Sequence, residues 1–122
     1  MGIFLTHCEI LDFLREKELY DGTEKIIYAN SESAEGEMVL LVFNERGVFV
    51  VQLTAMGKPS GGIIPMEKDT IRSIIFKKGM LTYQASIERP EKIYTFRVNR
   101  SMVGYKEHKS DLAELLARYG SK

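Results

Sequence analysis

Through the middle of this chain hydrophobic and polar residues follow a period of two, and near each end the period lengthens. Apolar or alternating runs over residues 24–31, 37–44, 47–54, 61–67, 70–78, 80–89 and 92–100, with breakers between them, predict seven β-strands. Met38-Val39-Leu40-Leu41-Val42-Phe43 is apolar at every position, so that strand is expected to be covered on both faces. Asn44-Glu45-Arg46-Gly47 then turns the chain into a second apolar run, with Gly47 free to take a positive φ. Ile63-Ile64-Pro65-Met66-Glu67 is short and holds a proline that cannot donate to a ladder, which predicts an edge strand or a bulge. Further on, Leu81, Tyr83, Ala85 and Ile87 share one face and Thr82, Gln84, Ser86 and Glu88 the other, the alternation of a sheet wetted on one side. In the last run Tyr94, Phe96 and Val98 point inward.

Both ends read as helix. Thr6-His7-Cys8-Glu9 has the form of a capping box, Leu5 and Ile10 can staple across it, and Ile10, Leu11, Phe13 and Leu14 supply an apolar stripe. This helix is expected to stop near Tyr20-Asp21-Gly22, where glycine can take the left-handed cap. From residue 106 to 119 the period is about 3.6, placing His108, Leu112, Leu115, Leu116 and Tyr119 on one side, and Gly120 ends the run. The expected fold is mainly β: a seven-stranded antiparallel barrel or sandwich, filled by its own side chains and plugged by a C-terminal helix. An extra amphipathic helix occupies residues 1–22, ahead of a domain over residues 23–120.

Composition changes this picture little. A chain of 122 residues with 44% apolar and 28% charged residues is expected to form one globular core. Its net charge is zero, but residues 1–60 carry five Lys/Arg against ten Asp/Glu, whereas residues 61–122 carry twelve against seven. Such polarity favours head-to-tail packing of copies or contact with an anionic surface. One cysteine excludes an internal disulfide and suits a reducing compartment. Without an apolar run of ~20 residues or the basic and apolar regions of a signal peptide, a cytoplasmic protein is expected. Met1-Gly2-Ile3-Phe4-Leu5-Thr6 fits the Gly2 acylation pattern and is read as an ordinary chain start.

Candidate chemistry is sparse. Gly57-Lys58 falls short of a phosphate-binding loop, because Gln52 and Pro59 stand where glycine and Ser/Thr are required. His7, Cys8 and His108 are the residues from which a nucleophile and base can be drawn, and only if the two helices pack together. Cys8 is read instead as a half-buried packing residue and His108 as lying at the margin of the helix stripe. No catalytic, cofactor-binding or metal-ligating residue is assigned.

The hairpin around Asn44-Glu45-Arg46-Gly47, the phrase Ile64-Pro65-Met66-Glu67-Lys68-Asp69-Thr70-Ile71-Arg72-Ser73-Ile74, the Lys77-Lys78-Gly79 hairpin and the helix carrying Leu112, Leu115 and Leu116 together resemble the bacterial pleckstrin-homology-like (PH-like) domains of the small YokE-type kind. That resemblance implies seven strands in two nearly orthogonal sheets capped by a C-terminal helix. It also implies a non-enzymatic protein-interaction or assembly module, which in some bacterial members forms homo-oligomers. For self-association the expected contacts are Ile63, Ile64 and Met66. The alternative is an anionic membrane surface met by basic hairpin tips, Lys77, Lys78, Arg89 and Lys92. Nucleic acid is excluded at this stage on two grounds: the near-neutral isoelectric point, and the placing of Phe43, Phe49, Tyr83, Tyr94 and Phe96 on core faces.

Overall fold

The structure, a computed structural model, describes residues 5–32, 37–54, 56–102 and 105–120. The Gly2 pattern and the acidic turn at residues 33–36 lie outside the described residues. Helix α1 (His7–Glu16) is followed by strands β1 (Lys25–Ser31), β2 (Met38–Asn44), β3 (Gly47–Leu53), β4 (Pro59–Glu67), β5 (Ser73–Lys78), β6 (Tyr83–Glu88) and β7 (Ile93–Val98), then by helix α2 (Glu107–Tyr119). A 3-10 turn, Lys68–Thr70, links β4 to β5. All strand pairs are antiparallel, in the order β4-β3-β2-β1-β7-β6-β5. The sheet curls into a half-barrel with β4 and β5 as its two edges, a mainly β fold with helices as caps.

Two clusters of buried side chains explain why the central strands are apolar throughout. Inside the curl, Ile27, Leu41, Phe43, Val50, Met66, Phe76, Ile87 and Phe96 meet Leu112 and Leu115 of α2. On the outer face, Ile26, Tyr28, Leu40, Val42, Phe49 and Val51 meet Leu5, Ile10 and Leu14, so α1 packs on the strands of its own chain. Alternate residues of β1, β2 and β3 therefore serve opposite cores. Burying each large aliphatic or aromatic side chain contributes about 1.5–3 kcal/mol. By contrast the outer face of β5–β7 meets solvent, as the alternation in β6 requires.

The capping box forms as the sequence predicts: the Glu9 N–H donates to Thr6 Oγ1 (3.1 Å) and the Thr6 N–H to Glu9 Oε1 (2.8 Å). The far end of α1 differs from expectation. The helix stops at Glu16, and Glu18, not glycine, takes the left-handed position with φ 59°. There the Leu19 N–H reaches the Leu14 carbonyl (2.8 Å) and the Glu18 N–H the Arg15 carbonyl (3.1 Å), closing a Schellman cap. Arg46 Nη1 donates to the Glu18 carbonyl at 2.7 Å, and this tertiary tie offsets a backbone conformation that costs about 1–2 kcal/mol outside glycine.

Where β1 and β7 separate, α2 completes the hydrogen bonding. Only Asn30 and Ser31 of β1 pair with β7, at Arg97 and Phe96. Further back along β1, Asp111 Oδ2 accepts from the Ile26 N–H (2.9 Å) and His108 Nδ1 from the Tyr28 N–H (3.1 Å). His108 Nε2 donates to the Asn99 carbonyl at 2.7 Å. Two side chains three residues apart on a helix thus stand in for a missing strand. His108 lies wholly inside rather than at the margin of the packed face, and Asp111 is buried beside it.

Candidate functional site

Register across β5, β6 and β7 sets the composition of the outer face. Lys77 lies opposite Gln84, and Gln84 opposite Arg97, so residues twenty apart in sequence form one row across three strands. Lys78 and Tyr83, the next pair toward the β5–β6 turn, fall on the opposite, inner side of the strands, where Tyr83 packs against the core. From the segment after β7 comes Arg100, whose guanidinium lies over the Tyr83 ring at 5.3 Å. A hollow of about 450 Å³ is lined by Lys77, Lys78, Arg97 and Tyr83, and an adjoining one of about 410 Å³ by Tyr83, Arg100 and Lys109. Tyr83 forms the wall they share. Three cations thus line one hollow and two the other, with Arg100 stacked over the Tyr83 ring, which itself packs half-buried against the inner core. Among the described residues one carboxylate, that of Glu32, lines these hollows and accepts from Gln84 Nε2 at 3.2 Å.

The turn above this face carries two exposed apolar residues, Met80 at 93% and Leu81 at 79% exposure. The Gly79 N–H donates to the Thr82 carbonyl (2.8 Å), closing the turn. Arg100 Nε donates to the Leu81 carbonyl (3.2 Å), and Nη2 reaches the Met80 carbonyl at 3.5 Å. Leu81 therefore belongs to the turn, not to the inward face of β6 as its alternation suggested.

The four expected anion-binding residues do not form one patch. Lys77 and Lys78 lie at one end of β6 and Arg89 and Lys92 at the other, about 17 Å apart at roughly 3.3 Å per residue. Arg89 is also engaged structurally: it pairs with Glu91 (3.2 Å) and donates to Thr70 Oγ1 (3.2 Å). Lys92 covers the Tyr94 ring at 4.5 Å, beside a cavity of about 220 Å³ that Glu37 also lines.

Of the expected self-association residues, Met66 is fully buried. It pairs with Val48 on the inner face of β4, so it has no surface to offer a second copy. Ile63 and Ile64 are partly buried against the outer and inner cores respectively.

His7, Cys8 and His108 are not brought together as a nucleophile and base. The Tyr105 hydroxyl and His7 Nδ1 share a hydrogen bond of 3.0 Å, joining α1 to the start of α2. Cys8 is exposed, not half-buried. Both nitrogens of His108 are committed to backbone groups, and burial lowers its pKa, which keeps it neutral. The same burial raises the pKa of Asp111 and pushes the Tyr28 phenol up to about 12. Among the described residues no three His, Cys, Asp or Glu side chains assemble as a metal set, and no helix is long and apolar enough to cross a membrane.

No family model matches the chain, and no solved structure matches it. Over 86 residues it is 29% identical to a protein of Schizosaccharomyces pombe (strain 972 / ATCC 24843) named Curved DNA-binding protein. The match spans 70% of this chain and 22% of that protein, so the chain corresponds to about a fifth of its relative. This similarity overturns the exclusion of nucleic acid. Net charge is silent about a local cluster of cations, whereas the placing of the aromatics stands: Phe43, Phe49 and Phe96 are buried, and Tyr83 and Tyr94 pack half-buried against the inner core.

Proposed function

We propose that this chain is a non-enzymatic, cytoplasmic binding module of the PH-like kind whose ligand is duplex nucleic acid, held at the β5–β6 end of the sheet. The observation that carries this reading is the grouping of five cations at this end of the sheet, Lys77, Lys78 and Arg97 lining one hollow and Arg100 and Lys109 the adjoining one. Cations grouped at one end of a sheet release counterions from a phosphate backbone, which supplies affinity independent of sequence. The named activity of the yeast relative supports the same ligand class. Fluorescence anisotropy of a labelled duplex tests it. The logarithm of affinity is expected to fall with the logarithm of salt at a slope of about −3 to −4 for four phosphate contacts. The double substitution Lys77→Glu/Lys78→Glu is expected to weaken binding about tenfold or more. A wild-type protein that ignores duplex at low salt removes the reading.

A second reading, self-association, is favoured by the position of β4, a strand with one edge unpaired among the described residues. Unpaired backbone groups along such an edge are a template for another chain, although Pro65 donates nothing to it. The opposite edge is partly taken up by a bridge from Phe76 to Gly120. Light scattering at high concentration and low salt is expected to detect a species heavier than one chain, and a strictly monomeric protein rules this reading out.

A further inference from the structure

We infer that the β5–β6 turn is a wedge: Met80 and Leu81 insert between base pairs of a bound duplex and kink it, while the cations behind them hold the phosphates. This deepens the nucleic-acid reading and rests on it. Single exposed apolar residues are ordinary on protein surfaces, whereas two adjacent large ones at the apex of a turn are not explained by folding. At 93% and 79% exposure, Met80 and Leu81 contribute nothing to either core.

Their surroundings specify the occupant. Lys77 and Lys78 lead into the turn, and Arg97 stands in the same row as Lys77 with Gln84 between them. Arg100 holds the turn's own carbonyls from below. That contact fixes the turn's backbone while both side chains project outward, so little ordering remains to be lost on binding. An apolar tip backed by cations matches a duplex at a base step, where a phosphate chain runs on either side of the unstacked pair. Proteins that kink DNA use Leu, Ile, Met or Phe in this way and offset the unstacking cost with extra backbone contact.

The test compares wild type with Met80→Ser/Leu81→Ser on a short duplex carrying 2-aminopurine at its centre and a donor and acceptor dye at its ends. Since both side chains are exposed, the substitutions leave the fold intact, which circular dichroism checks. Wild type is expected to raise 2-aminopurine fluorescence and bring the ends closer. The variant is expected to keep salt-dependent binding within about tenfold while losing both signals. Duplex bound by wild type without either signal, or a variant that bends as wild type does, overturns the wedge and leaves phosphate binding standing. No duplex binding by wild type at low salt overturns both readings. A parallel arm uses vesicles of mixed phosphatidylserine and phosphatidylcholine: insertion of the turn there, reported by Leu81→Trp emission, without unstacking of duplex, assigns the tip to a lipid surface and overturns the wedge.

Discussion

Replacing His108 by alanine is expected to cost about 3–5 kcal/mol of stability, measured as a shift in urea midpoint at neutral pH. The imidazole is fully buried, so its removal leaves a cavity. It also strands the Tyr28 N–H and the Asn99 carbonyl, each bonded to a ring nitrogen. An unmet buried backbone group costs about 1–3 kcal/mol. Asp111→Ala strands the Ile26 N–H alone and is the milder change. The two lesions share one strand and one helix turn, so they are not expected to add.

The same ring makes stability depend on pH. Burial outweighs the Asn99 hydrogen bond and the nearby Asp111 charge, and holds the folded pKa below the ordinary 6.5. A histidine whose folded pKa is lowered stabilises fully above its unfolded value, and that contribution drains away as pH falls through 6.5 toward the folded value. The groups facing it are the Tyr28 N–H from β1, the Asn99 carbonyl before α2, and Asp111 on α2 itself. Protonation would set a second N–H against that of Tyr28. Asp111 runs the opposite way: its raised pKa favours the fold below 3.8, and that gain is lost as pH rises through the raised value. Urea midpoints at pH 7.5 and 5.5 are therefore expected to differ in wild type and to converge in His108→Ala; equal midpoints in wild type would deny the ring this role.

The strands were legible because turn residues and alternation agree at each hairpin, and the run from Met38 to Phe43 showed a strand covered on both faces; that the two faces serve separate cores, the outer one made with α1, was not legible. Asp111 was missed, although residues 108, 111, 112 and 115 are the very spacing of a buried helical stripe; its charge argued against burial, and only the separation of β1 from β7 explains it. Met66 was misplaced by equating an edge strand with an exposed one. Alternate residues of an edge strand still face the core, and Met66 lies opposite Val48. The basic tips were counted together although successive turns of a meander fall at opposite ends of the shared strand, which alone separates Lys78 from Arg89. Arg97 and Lys77 share a row only through register, so no local window contains it. Arg100 gave no local signal, lying in an irregular connection.

Gly47→Ala is expected to be nearly as damaging as loss of His108, at about 2–4 kcal/mol by the same denaturation measurement. Gly47 has φ 142°, in the region that side chains avoid. A Cβ there would overlap the Met66 carbonyl and come within 2.8 Å of the Lys68 nitrogen. That nitrogen donates to the Arg46 carbonyl at 2.9 Å, so the backbone beside Gly47 cannot yield without breaking a bond that ties the β2–β3 turn to the end of β4. Gly22 provides the control. It also has a positive φ, 93°, yet nothing lies within 4 Å of its Cβ position. Gly22→Ala bears only the backbone cost, about 1 kcal/mol. If the two variants lose equal stability, the close approach of β4 to the β2–β3 turn contributes nothing, and Gly47 is there for its dihedral angle alone.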